Sequence, residues 1–405
     1  MTKISMTPDL RSATKSNRIL LYSHDTFGLG HIRRCRTLAN AITASDENAS
    51  ALILTGSPVA GRFTFPERVD HVRLPGVTKM TDGSYMSETL GMEIDETTTL
   101  RSGLIKATIQ HFDPDLVIVD KEPTGFRGEL LPSLEWLKAH RTETRIVLGL
   151  RDVLDEPEVL AKEWDRKGAL QATERFYDEI WVYGLKSIYD PTQGLALSDD
   201  AKARTNWTGY LRRENVEDTT IQSDPYILVT PGGGGDGAAM VDHVLSAYEN
   251  DPSLTPSAVL VYGPFLTGDT RADFEKRVGK LNGRVTSVGF DSRMESLMSN
   301  ALGVVAMGGY NTFCEILSFD KPAIIIPRTV PRLEQYIRAN RSEELGLIRM
   351  IHKSRDGDEP NVMIDAIRNL PNQAPPSAGR IDGLLDGLDD VVKRTAALLA
   401  KATIK

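Results

Sequence analysis

Only two cysteines, Cys35 and Cys314, occur in the 405 residues. Their wide separation excludes a disulfide framework and the paired spacing of a zinc site. No apolar run approaches the roughly 20 residues that span a bilayer. The stretch before Arg18 is polar and lacks the apolar segment of a secretory signal, so a cytoplasmic protein is expected. Basic residues are outnumbered by acidic ones, 48 to 56. The formal net charge is −8, whereas a nucleic-acid binder would carry a basic footprint, so no nucleic-acid partner is expected. His71, His111, His140, His243 and His352 show no ligand spacing, and Asp113-Pro-Asp115 precedes its strand instead of following it. Neither a metal site nor a cofactor is expected.

What is present is an ordinary soluble composition, 40% hydrophobic and 26% charged. The length suits about two or three domains. Short apolar runs at 18–24, 51–56, 70–75, 115–120, 145–150 and 179–184 alternate with amphipathic stretches at 31–44, 97–111, 129–140 and 156–175. Near-continuous apolar strands separated by helices predict a parallel sheet covered on both faces. The pattern restarts with "PYILVTPGGGGDG" at 225–237 and continues through runs at 258–263, 284–290, 302–309 and 322–328. The expected fold is α/β, with two Rossmann-like doubly wound domains facing a central cleft. We expect a polar tail over 1–17, a first domain over 18–215 and a second over 216–370. A linker and C-terminal helix over 371–405 complete the chain.

Three loops carry the chemistry. In "YSHDTFGLGHIRRCRTLANAI" (22–42), Gly28 and Gly30 form a G-x-G turn, but Arg33 stands where a dinucleotide fingerprint needs its third glycine. No acid ends the second strand, which argues against NAD. His31 follows that turn at a helix start, and imidazole there suits a general base near neutral pH. Arg33, Arg34 and Arg36 crowd the same helix, where the dipole disfavours cations, so they are expected to meet phosphate; pairing with surface carboxylates is the alternative. Asp120 and Glu122 end a strand where a partner for His31 could sit. "PGGGGDG" (231–237) lacks the lysine and hydroxyl residue of a Walker loop, yet Gly233 and Gly234 would let backbone N–H groups approach an anion. In "AMGGYNTFCEIL" (306–317), Gly308 and Gly309 open a helix toward the cleft. Glu315 lies two turns in, either to accept two ribose hydroxyls or as a solvated helix residue. Arg328, Glu334 and Gln335 gather at the next strand-to-helix junction.

Together these features resemble the inverting glycosyltransferases of the GT-B fold, above all the family that adds N-acetylglucosamine to the lipid-linked peptidoglycan precursor (family 28 type). The resemblance runs over about 18–350 and is strongest in "VGFDSRMESLMSNALGVVAMGGYNTFCEILSFDKPAIIIPR" with the Glu334-Gln335 that follows. It implies that the first domain takes the acceptor and the second a nucleotide-sugar donor, whose base meets the Phe290 backbone. Its diphosphate would meet Gly308, Gly309, Asn311 and Thr312, its ribose Glu315, and its sugar Glu334 and Gln335. His31 falls on the family's glycine-loop histidine, and 232–235 on a second donor-side loop. Glu334-Gln335 replaces the family's Gln-Gln pair, and Arg338 a common asparagine. The expected activity is metal-independent, inverting hexosyl transfer from a uridine diphosphate sugar. The acceptor expected is a glycan or lipid-linked hydroxyl of polysaccharide synthesis, with room for peripheral association at the inner membrane face. The alternatives are a non-hydrolysing UDP-sugar 2-epimerase and a donor-binding subunit beside a membrane partner.

Overall fold

The computed structural model describes residues 16–24, 29–80, 84–214, 224–232, 236–263, 266–289, 294–357 and 359–403. The first sheet contains β1 (Asn17–Ser23), β2 (Ala49–Thr55), β3 (Val69–Arg73), β6 (Leu116–Asp120), β7 (Arg145–Arg151), β8 (Glu179–Tyr183) and β9 (Thr205–Trp207). A separate hairpin pairs β4 (Val77–Lys79) with β5 (Tyr85–Ser87). The second sheet contains β10 (Tyr226–Thr230), β11 (Ser257–Val261), β12 (Val285–Val288), β13 (Gly303–Ala306), β14 (Ala323–Ile325) and β15 (Arg349–Met350). The strand orders are β3-β2-β1-β6-β7-β8-β9 and β12-β11-β10-β13-β14-β15. Every pairing in the two large sheets is parallel.

Both sheets wind outward in two directions from their first strand, and this sets where a ligand can sit. Beyond the carboxyl ends of β1 and β6, and again of β10 and β13, the connections leave to opposite sides and open a crevice. The strands read as unbroken apolar runs because both faces are covered. Along β1, Ile19 and Leu21 enter one core while Leu20 and Tyr22 enter the other. The first of these cores continues into the second domain through Leu228, Phe313 and Ile316. The two sheets therefore share buried apolar contact as well as polar bonds.

All eleven strands read from the sequence are present. The hairpin, β9 and β15 were not foreseen; each has two or three residues per strand, too few to show a period. The amphipathic stretch 156–175 is two helices, Pro157–Arg166 and Ala169–Phe176, divided at Gly168 with φ +62°. Residues 370–372 and 376–379 of the expected linker are 3₁₀ turns. The terminal helix Gly387–Thr403 returns to pack on the helix Gly30–Ser45 of the first domain. The expected boundary at 215 lies outside the described residues. No described helix is long and apolar enough to cross a membrane.

Candidate active site

The crevice of the first sheet holds a tight charge cluster. His31 sits in the first turn of the helix Gly30–Ser45, and its Nδ1 lies 2.5 Å from Oδ2 of Asp120, the last residue of β6. Arg34, one turn further, grips the same carboxylate with Nε at 2.7 Å from Oδ1 and Nη2 at 2.6 Å from Oδ2. A carboxylate oxygen and a bare imidazole nitrogen at that distance would repel, so Nδ1 carries the proton and donates it to Asp120. The proton-accepting atom of the ring is then Nε2. Burial would raise the Asp120 carboxyl, but Arg34 and His31 together hold it well below the ordinary carboxylate range. Asp120 is therefore an anion at any working pH.

Glu122 is brought to the same crevice but turns elsewhere. Its carboxylate accepts from Lys167 at 2.8 Å and lies 3.2 Å from Lys121. Of the two acids expected beside His31, only Asp120 touches it. The arginines also depart from expectation. Arg34 is 1% exposed and committed to Asp120. Arg33 donates to Glu315 and, at 3.1 Å, to Glu295. Arg36 lies over the Phe63 ring and reaches the Thr64 carbonyl at 3.4 Å. Arg33 and Arg34 do pair with carboxylates, but with the buried Glu315 and Asp120 instead of the surface acids of the alternative.

Across the interface, Gly308 and Gly309 end β13 and start the helix Tyr310–Ser318, which no side chain caps. Gly308 has φ +77°, and a Cβ there would come 2.7 Å from Ile325 Cγ2, so only glycine fits. Its carbonyl accepts from Arg338 Nη1 at 2.9 Å. Because C=O and N–H of a trans peptide point in opposite directions, this bond turns the Gly309 N–H away from Arg338. Asn311 donates to the Gly30 carbonyl at 3.0 Å, tying this helix to the turn that carries His31. Thr312 is buried beside it. Glu315 is 1% exposed, which ends the solvated-residue reading; burial raises its carboxyl even though Arg33 opposes this. Glu334 meets Arg151 at 2.8 Å and Arg328 at 3.1 Å, and these cations, with Arg338, depress its carboxyl against the cost of burial. Arg328 also pairs with Asp236, and its backbone N–H donates to Gln335 Oε1 at 3.1 Å. Gly28, Gly233, Gly234 and Phe290 lie outside the described residues.

Several side chains at the site escaped the sequence reading. Asp152, just past β7, is gripped by Arg338 at 2.6 and 2.7 Å and accepts from Tyr210 Oη at 3.0 Å. Tyr310 lies between two guanidinium groups, 5.4 Å from Arg34 Cζ and 5.8 Å from Arg338 Cζ. Arg213 joins Thr37 of one domain to Asn311 of the other. His24, immediately after β1, sits with its ring 5.7 Å from that of His31. Applying the strand-end rule that found Asp120 to "LGLRD" and "LLYSH" would have found Asp152 and His24. Arg338 carries no such signal, because it lies mid-helix. Among the described residues no group of three or more His, Cys, Asp or Glu gathers as metal ligands would.

Two doubly wound domains meeting at the carboxyl ends of their strands define the GT-B class. Residues 228–370 match the glycosyltransferase family 28 C-terminal domain. An uncharacterized glycosyltransferase of Methanosarcina acetivorans is 23% identical over 361 residues, covering 85% of this chain and 87% of the relative. Among solved structures, MurG of Acinetobacter baumannii aligns with TM-score 0.58 at 11% identity, over 94% of this chain and 99% of the other. TcCGT1, solved in complex with UDP, aligns with TM-score 0.68 at 10% identity, over 95% and 100%. The chain is a glycosyltransferase of the GT-B fold, and its residues 228–370 are similar to the family 28 C-terminal domain.

Proposed function

We propose that this enzyme moves a hexose, N-acetylglucosamine being the first to test, from a uridine diphosphate donor to a hydroxyl acceptor with inversion. The observation that carries the reading is the Asn311–Gly30 bond, which sets the histidine turn against the uncapped helix Tyr310–Ser318. The diphosphate rests on Gly308, Gly309 and Thr312, where backbone N–H groups and the helix dipole oppose its charge. Glu315 takes the ribose hydroxyls, with Arg33 moving from it toward phosphate as the donor enters. Glu334 and Gln335 take the sugar. His31 Nε2 accepts the acceptor's hydroxyl proton as that oxygen attacks the anomeric carbon. The bond from that carbon to the β-phosphate oxygen breaks, and the diphosphate leaves with the electron pair. Asp120 holds the resulting imidazolium until its proton is released.

A general base typically supplies about 10²–10⁴-fold. His31→Ala should therefore lower kcat by about that factor while UDP affinity stays near wild type. Turnover should persist in EDTA, since the proposed charge compensation comes from backbone and arginine. A polyprenyl-phosphate-linked acceptor should outperform the same glycan without phosphate if Arg33 or Arg36 meets it. Full kcat in a folded His31→Ala protein would remove the histidine from the chemistry. Conversion of the UDP-sugar alone, with no acceptor, would replace transfer by 2-epimerisation.

A further inference from the structure

Arg34 has no place in the proposed reaction as a ligand, since it is buried, its Nε–Nη2 edge is spent on Asp120 and its Nη1 donates to the Gly30 carbonyl at 3.5 Å. We propose that Arg34 is a positioning residue for His31, acting through the Asp120 carboxylate, and that it keeps the imidazole in its base form. The inference rests on the reading of His31 as general base.

Two observations carry it. The first is geometric. Arg34 Nε and Nη2 engage the two Asp120 oxygens as a fork, at 2.7 and 2.6 Å. A planar fork fixes the plane of the carboxylate, and that plane aims Oδ2 at His31 Nδ1. Arg34 is itself held, with Cζ 5.4 Å over the Tyr310 ring at the start of the donor-side helix. Ring orientation in the first domain is thus set from a residue beside the glycine pair of the second. The second observation is electrostatic. Arg34 Nη2 lies 3.2 Å from His31 Nδ1, so the guanidinium charge sits directly beside the ring. Asp120 alone would favour the imidazolium. A permanent cation on the same carboxylate cancels much of that pull and adds direct repulsion. Among the described residues, the other titratable groups on this side of His31 are His24 after β1, with Glu122 and Lys121 beyond it at the end of β6. None of these replaces the guanidinium.

The test separates this role from simple structural support and from phosphate binding. In Arg34→Gln, the His31 ring should titrate about 1–3 pH units higher than in wild type, read by NMR without substrate. The acidic limb of the kcat profile should move up by the same amount, with UDP affinity unchanged. Arg34→Lys retains the charge and loses the fork, so it should keep the limb near wild type while lowering the plateau of kcat. It also serves if the glutamine variant does not fold. An unmoved His31 titration in Arg34→Gln, or a limb in Arg34→Lys displaced upward, overturns the inference while leaving the base reading to the His31→Ala result. A moved titration with an unmoved kcat limb overturns the base reading, and the inference with it. A rise in donor or acceptor KM alone would make Arg34 a substrate ligand.

Discussion

His24 shows how one side chain can make stability depend on pH. Its Nδ1 is sealed from solvent with no hydrogen-bond partner among the described residues. Desolvation, reinforced by His31, Lys121 and Lys167 and opposed by Glu122, pushes its pKa down to about 3. The folded value lies below the ordinary 6.5, so the unfolded chain binds the extra proton first. Stability should then fall as pH drops below about 6.5. Between pH 7 and pH 5 the loss is on the order of 1–2 kcal/mol for this residue. The depressed carboxyls of Asp120, Glu122 and Glu334 act in the same direction but only below about pH 4.5, so the two windows separate. Denaturant midpoints should show this slope in the wild type and a flatter one in His24→Asn. An equal slope in both would mean that His24 titrates normally.

At the scale of elements, the junction of β13 with its helix depends on a contact from another domain. Arg338 fixes the Gly308 carbonyl and is itself held by Asp152 past β7, with Tyr210 supporting the acid. Removing one partner of such a buried pair strands the other charge, at a cost of about 3–5 kcal/mol. Arg338→Met should lower denaturant stability by that amount, and the double variant Asp152→Asn, Arg338→Met should recover part of it. No recovery in the double variant would show that Arg338 acts through packing alone. This junction also shows what the sequence made legible. Gly308-Gly309 after "LGVVAM" announces a strand-to-helix turn with open N–H groups, because glycine pairs at strand ends have few other uses. Asp120 was singled out by residue type and its place at the end of an apolar run, His31 by its place after a glycine turn, and Glu315 by its position two turns into the helix that the glycine pair opens. The pairings of Arg33 and Arg338 were not legible, since they join residues whose proximity arises only when two sheets face each other, and that of Arg34 depends on β1 lying beside β6. Charge counted along a helix cannot reveal which acid on another element will meet it.

On the scale of the whole molecule, two buried acids of the second domain are matched by arginines from the first. Arg33 meets Glu315, and Arg151 meets Glu334. The reverse pairing occurs where Arg332 reaches Asp155 at 3.2 Å and Glu163 at 2.9 Å. Beneath them the apolar core runs unbroken through the interface, with Tyr210 stacked on Tyr310 at 6.1 Å and edge-on to Phe313 at 5.3 Å. Apolar burial of roughly 1.5–3 kcal/mol per large side chain holds the domains together, so the ion pairs can exchange partners without separating them. In our account the ribose displaces Arg33 from Glu315, making Glu315 the test of where the donor lies. Calorimetric titration of UDP into wild type and Glu315→Gln measures it directly. Loss of two charged hydrogen bonds should weaken binding by about 1.5–3 kcal/mol, roughly 10- to 150-fold, with the fold intact. Equal UDP affinity in the two proteins would contradict the donor site proposed here.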